Sequence, residues 1–188
     1  MFLKEYIFSL WKFILAAFLV FVFAALKGYF SGQSSPSEMK VVLEQLQEMF
    51  GPIVEMPPFS QFLVVFLNNS LTAFLVIVLG IIFGISPFLV LLSNGLVLGL
   101  VVYFAQAAAD WPTVFVLTFP HGIIEIPVII LACAVGFKLG KVSFDRIFKK
   151  QGSIKAELNI ALGFFLKVIL PLLAIASAIE IFLTSQLL

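Results

Sequence analysis

Five long apolar stretches follow one another along the chain, separated by shorter polar segments. A helix needs about 20 apolar residues to cross the ~30 Å hydrocarbon core of a bilayer. The pattern therefore predicts an all-α polytopic membrane protein with about five transmembrane helices in a single transmembrane domain. The predicted spans cover residues 8–29, 59–83, 87–106, 112–139 and 156–185.

The connection between the first two spans, residues 32–58, has a helical pattern of its own, with apolar residues at three- and four-residue spacing. Ser37 can cap the N-terminus of a helix, and Gly51-Pro52 is a typical stop. We expect an amphipathic helix over residues 37–50 on the outer membrane surface or across the mouth of the bundle. It would serve as a cap over apolar side chains or as a docking surface for a partner.

The charged residues of the connections orient the predicted bundle. Residues 138–155 hold six lysines and arginines against a single acid, Asp145, which indicates a cytoplasmic loop. The connection over residues 32–58 holds four glutamates against Lys40, so we expect it outside. Five spans then place the N-terminus, with Lys4 and Lys12, in the cytoplasm and the C-terminus outside the cell membrane.

Composition narrows the classes of function. With 62% hydrophobic and 11% charged residues, the chain is not a soluble globular protein. Its single cysteine, Cys133, excludes an internal disulfide, and no zinc-binding spacing or nucleic-acid-binding patch is present. We therefore expect the lipid bilayer and other membrane or envelope proteins as partners, with no cofactor and no nucleic acid.

The fourth span contains two ionisable residues, which are costly at this depth. His121 and Glu125 are four residues apart, so on a helix they share one face. Pro120, Gly122 and Pro127 flank them, and because proline removes a helical N–H, we expect this helix to be broken at Pro120.

Other spans bring polar residues to a similar depth, counted at about 1.5 Å per helical residue. Lys167 is the base that lies deep enough to pair with Glu125, and three asparagines on the second and third spans lie near the same level. We call the whole set the polar hub. Its predicted members are His121, Glu125, Asn68, Asn69, Asn94 and Lys167.

Glycines four residues apart recur more often than chance at this glycine content would give. Such pairs let helix backbones approach closely, within one chain or across a homodimer. The pair Gly28/Gly32 runs out of its predicted span and is interpreted as part of a turn. The pairs assigned to helix packing are Gly80/Gly84, Gly95/Gly99 and Gly136/Gly140.

Three interpretations of the polar hub stay open at this point. It could be a structural network that fixes helix register, or a binding or proton-relay site in a transporter-like bundle. In the third, His121 and Glu125 are two ligands of a metal, but the sequence offers no further ligand beside them, so we expect no metal. No His-Glu-x-x-His or Gly-x-Ser-x-Gly motif supports catalysis, and we expect no catalytic residue.

Three motifs in this order resemble the stage II sporulation protein M family: Asn68-Asn69-Ser70, residues 93–99 and residues 120–127. The resemblance covers roughly residues 59–140, with a compatible final span, and implies a small integral membrane protein. In endospore formers, the member that gives the family its name works with a peptidoglycan-degrading partner and a scaffold partner during engulfment, and it has no assigned catalytic activity. Members also occur outside spore formers, including in archaea. The family motif falls on Asn68, Asn69, Asn94, Gly95, His121, Gly122, Glu125 and Pro127.

The sequence thus predicts a non-enzymatic membrane scaffold or complex subunit, in which the polar hub holds the bundle in one arrangement. The alternative is a small-solute or ion permease, proton-coupled in one version, that uses the polar hub as a site in the middle of the membrane.

Overall fold

The computed structural model describes residues 3–108 and 111–182. Inside the helices, the side chains of residues 46, 47, 49, 50, 54, 107, 108 and 111–123 lie outside this description. Every described element is helical. The helices are α1 Leu3–Ser9, α2 Trp11–Ser34, α3 Pro36–Val54, α4 Pro58–Leu79, α5 Ile85–Ala108, α6 Trp111–Phe148, α7 Ile154–Phe164 and α8 Leu170–Phe182, with a π-helical turn, Phe165–Ile169, joining the last two.

The expected five membrane-spanning helices are confirmed among the described residues. α7, the π-helical turn and α8 form one continuous segment. The segments that are long and apolar enough to cross a membrane are Trp11–Ser34, Pro58–Leu79, Ile85–Gln106, Ile124–Phe148 and Ile154–Phe182.

α6 lies at the centre of the bundle. Val128, Ala132 and Val135 contribute to a core cluster shared with α1, α4, α7 and α8. Ile130 and Cys133 contribute to a second cluster shared with α2, α4 and α5. The other helices surround α6 and leave much of their apolar surface outward, as a lipid-facing protein requires.

Contacts between distant residues show which ends of the helices lie together. Tyr6 of α1 contacts Phe164 of α7, with ring centroids 5.2 Å apart. Phe62 near the start of α4 contacts Phe182 at the end of α8, with centroids 6.1 Å apart. Tyr6 also donates a hydrogen bond to Glu157 in the first turn of α7. α1 therefore lies at the same end of the bundle as the α6–α7 connection, and the start of α4 lies at the opposite end.

The closest helix packing joins α2 to α5, and it corrects one expectation. Gly28 and Gly32 were expected in a turn, yet both are buried inside α2. A Cβ atom on Gly28 would meet the carbonyl oxygen of Leu96, and a Cβ atom on Gly99 would meet that of Ala25. The expectation was wrong because α2 continues to Ser34, past the predicted end of the span.

A second glycine contact joins the short turn after α4 to α6. A Cβ atom on Gly80 would lie 2.5 Å from the carbonyl oxygen of Gly136, and one on Gly140 would lie 2.9 Å from that of Gly80. Gly84 has a φ of +76°, which a residue with a Cβ rarely adopts. These glycines let the turn lie directly on α6, so they pack within the chain.

Two details differ from expectation. The amphipathic helix is present as α3, but it begins at Pro36 and continues through Pro52 to Val54, since a proline fits the first turn of a helix and removes only one bond farther along. The helical backbone of α6 likewise continues through Pro120, so the predicted break does not divide the element. Neighbouring helices can accommodate a proline inside a membrane helix.

Candidate functional site

The polar contact at the middle of the bundle joins α4 to α6. The side-chain amide of Asn69 donates a 2.8 Å hydrogen bond to Oε1 of Glu125. Glu125 is only 9% exposed. Among the buried polar side chains that the structure describes, it is the one with an ionisable group, and the others are serines. A carboxyl group so far from water needs such a donor.

The local sequence explains why these two side chains meet. Asn69 stands on the α4 stripe that also carries Ala73, Val76 and Ile77, all buried. Glu125 stands one turn before Val128 on the buried side of α6. On each helix, the polar residue and the buried apolar residues are spaced so that they share one face. Asn69 and Glu125 therefore lie on the faces of α4 and α6 that form the apolar core.

One predicted member of the polar hub, His121, lies outside the described side chains. Pro120 and Gly122, which flank it and were predicted to break the helix, also lie outside them. Pro127, on the other side of Glu125, lies inside α6 with its ring exposed.

Three predicted members of the polar hub do not join the Asn69–Glu125 contact. Asn68 and Asn94 are exposed, and the amide of Asn94 donates a 2.9 Å hydrogen bond to the carbonyl oxygen of Val90 on its own helix. Lys167 is exposed as well. Equal depth placed these residues at one level, but depth does not determine which side of a helix faces the bundle.

A second group of polar side chains, absent from the sequence-based expectations, lies at the end of the bundle that contains α1. Lys138 of α6 forms a 2.9 Å ion pair with Glu157 of α7 and a 2.9 Å hydrogen bond to Oγ of Ser9. The Tyr6 hydroxyl donates a 3.1 Å hydrogen bond to Glu157, and the Lys138 ammonium lies 4.1 Å from the centre of the Tyr6 ring. We call Tyr6, Ser9, Lys138 and Glu157 the terminal cluster.

The terminal cluster fixes α1 to the ends of α6 and α7. Burial, together with the charge of Glu157 and the hydrogen bond to it, raises the pKa of the Tyr6 hydroxyl above its ordinary value, so the hydroxyl stays protonated and continues to donate. The members are distant in sequence, with Tyr6 and Glu157 separated by 151 positions. Sequence spacing could not predict that these residues meet. The one signal in the sequence was Lys138, a charged residue near the end of a predicted span.

The described residues offer few side chains that could bind a metal ion together. No group of three histidine, cysteine, aspartate or glutamate side chains stands together there. Cys133 is fully buried within an apolar cluster on α6. What the described site can do is hold helices: one bond joins α4 to α6, and the terminal cluster joins α1, α6 and α7.

Comparisons with known proteins extend the similarity over most of the chain. Residues 17–185 match the family described as Stage II sporulation protein M. An uncharacterized protein of the archaeon Methanocaldococcus jannaschii is 30% identical over 125 residues, which cover 64% of this chain and 68% of the relative. No solved structure matches the chain.

Proposed function

Because the chain belongs to the Stage II sporulation protein M family, we propose that it is a non-enzymatic scaffold or subunit of a membrane protein complex. The observation that carries the proposal is that polar side chains inside the bundle bond to side chains on other helices. The buried carboxyl group of Glu125 accepts a hydrogen bond from Asn69 on a neighbouring helix. In the terminal cluster, Lys138 of α6 pairs with Glu157 of α7. Such bonds fix one arrangement of helices, which is what a scaffold needs.

The partners in this proposal are other membrane or envelope proteins. The glycine pairs that suggested a homodimer all contact residues of the same chain, so they lend no support to self-association. A large part of the outer surface of the bundle is apolar, with side chains such as Phe23 and Leu166 at least 60% exposed. Lipid covers most of this surface, and partner helices would cover the rest.

The proposed location is the cell membrane with the N-terminus in the cytoplasm. The end of the bundle that holds α1 also holds the basic residues after α6. There Asp145 pairs with both Lys141 and Lys149, and Arg146, Lys150 and Lys155 add positive charge. A surplus of lysine and arginine at one end supports a cytoplasmic position for that end.

Recovery of the full chain from membranes of its native host tests the proposal. We expect the wild-type chain, solubilised in a mild detergent, to retain a different membrane or envelope protein in a fixed molar ratio. Glu125→Gln should retain the same partner, because a glutamine oxygen can still accept the bond from Asn69. The proposal would be contradicted if the chain is recovered without a partner. It would give way to a permease if the chain also takes up solute in proteoliposomes and Glu125→Gln abolishes that uptake.

A further inference from the structure

Lys167 occupies an unusual place for a charged side chain. It lies near the centre of the segment Ile154–Phe182, which crosses the membrane. The middle of a bilayer is about 15 Å from either edge of the hydrocarbon core. Lys167 is exposed on the outer surface of the bundle, beside Leu166, which is 60% exposed. Its charge therefore faces the lipid-covered side and not the core.

The length of a lysine side chain does not solve this problem. Lysines near helix ends extend along the helix and place their ammonium groups in the interface. The side chain of Lys167 is about 6 Å long at ~1.5 Å per bond, which is less than half of the distance to either edge. Within the described part of the chain, no acidic side chain pairs with it. A partner from outside the chain would solve the problem, since charged groups in membranes pair with one another.

The backbone at Lys167 is also irregular. Lys167 is the middle residue of the π-helical turn Phe165–Ile169, in which the N–H of Leu170 bonds to the carbonyl oxygen of Phe165, five residues earlier. Pro171 is four residues after Lys167 and has no N–H, so the Lys167 carbonyl loses its ordinary helical donor. Single π-helical turns of this kind are frequent at functional sites. One exposed position thus combines a charged side chain with an irregular helix backbone.

A second copy of the chain does not supply the missing carboxylate. Four acidic residues lie in the five membrane-crossing segments. Glu125 is buried against Asn69, and Asp145 and Glu157 are bonded to lysines at the opposite end from α4's start. Glu180 is 13 residues after Lys167, about 20 Å along the helix. Copies in one membrane share their orientation, so none of these acids reaches the level of Lys167.

We propose that Lys167 is the docking point for a transmembrane helix of a different protein, which places an aspartate or glutamate carboxyl group at the middle of the membrane. The charge of Lys167 selects this partner, at a point where the helix backbone is irregular. The inference rests on the proposed function, since it names the surface through which a complex subunit binds its partner.

Model helices test the inference directly. The full chain in liposomes is mixed with a labelled leucine–alanine helix of about 22 residues that carries aspartate, asparagine or leucine at its centre, and association is measured by energy transfer. We expect the aspartate helix to bind about tenfold more tightly than the leucine helix, as one intramembrane polar contact allows. Lys167→Met should abolish this preference, and Lys167→Glu should transfer it to a helix with central lysine. Equal binding of all helices to the wild-type chain would overturn the inference.

The complex from native membranes separates this inference from the proposed function. Ile175→Met is the control, because Ile175 is also exposed on the segment Ile154–Phe182, at 52%. We expect the wild-type chain and Ile175→Met to retain the partner and Lys167→Met to lose it while staying folded. If Lys167→Met keeps the partner, the Lys167 inference fails alone. If the wild-type chain has none, the proposed function fails. If Lys167→Met instead dissolves a homodimer, the occupant is a second copy and the inference is wrong.

Discussion

Asn68 and Asn69 are neighbours in sequence and differ in surroundings. The Asn69 amide bonds to a buried carboxyl group, whereas Asn68 is exposed. A residue step of 100° around a helix is enough to cause this difference. The pair therefore separates the effect of the inter-helix bond from that of asparagine as a residue type.

We expect Asn69→Leu to lower the stability of the bundle by about 0.5–2 kcal/mol, because it removes a hydrogen bond between membrane helices and leaves Glu125 without this donor. Asn68→Leu should cause no loss. Thermal unfolding in detergent, followed by size-exclusion chromatography, measures both. Equal losses from the two variants would show that the contact between Asn69 and Glu125 does not hold the helices.

Tyr6 makes the terminal cluster sensitive to alkaline pH. Its pKa is raised in the folded chain, so the folded state keeps the proton that the unfolded state loses above pH ~10. The stabilisation by the hydroxyl is complete below that pH and declines above it. We expect wild type to be more stable than Tyr6→Phe by about 1 kcal/mol at pH 8, with the advantage shrinking between pH ~10 and ~11. An advantage that stays constant over this range would contradict the assignment.

At the scale of elements, close backbone contacts hold the helices. A Cβ atom on Gly99 would meet the carbonyl oxygen of Ala25 across the α2–α5 contact, but one on Gly163 would meet no atom within 4 Å. Both glycines lie inside helices, where alanine is the better helix former. They form a matched pair that differs in packing.

We expect Gly99→Ala to destabilise the bundle by about 1–3 kcal/mol through overpacking. Gly163→Ala should leave stability unchanged or raise it by up to about 1 kcal/mol, because it only gains helix propensity. Unfolding by detergent titration, monitored by the loss of helical circular dichroism, compares them. A destabilising Gly163→Ala with a neutral Gly99→Ala would refute the packing account.

The membrane-spanning helices could be predicted from sequence because the apolar stretches that cross a bilayer are a local feature of the sequence. Depth counting also brought Asn69 and Glu125 to one level. It could not decide which side of each helix faces the bundle, so Asn94 and Lys167 were placed inside and are exposed. The π-helical turn at Lys167 changes the register of its helix, and such a turn has no hydropathy signal. Tyr6 and Glu157 meet only because α1 folds back against α7.

At the scale of the whole molecule, one end of the bundle carries α1 and the basic residues after α6. If that end is cytoplasmic, a cysteine at Gln151 should react with a membrane-impermeant maleimide only after the cells are opened. A cysteine at Glu55, between α3 and α4, should react in intact cells. Both residues are exposed, and Cys133→Ala, which removes a fully buried thiol, provides the background. The opposite labelling pattern would invert the proposed topology.

In the proposed function, this chain is one subunit of a complex with a different membrane protein. Native mass spectrometry of the chain, extracted from membranes of its host and released from detergent, tests it most directly. We expect a particle heavier than the 20.7 kDa chain by the mass of a second protein, and therefore not at an integer multiple of 20.7 kDa. A mass of 20.7 kDa, or of an integer multiple, would contradict it.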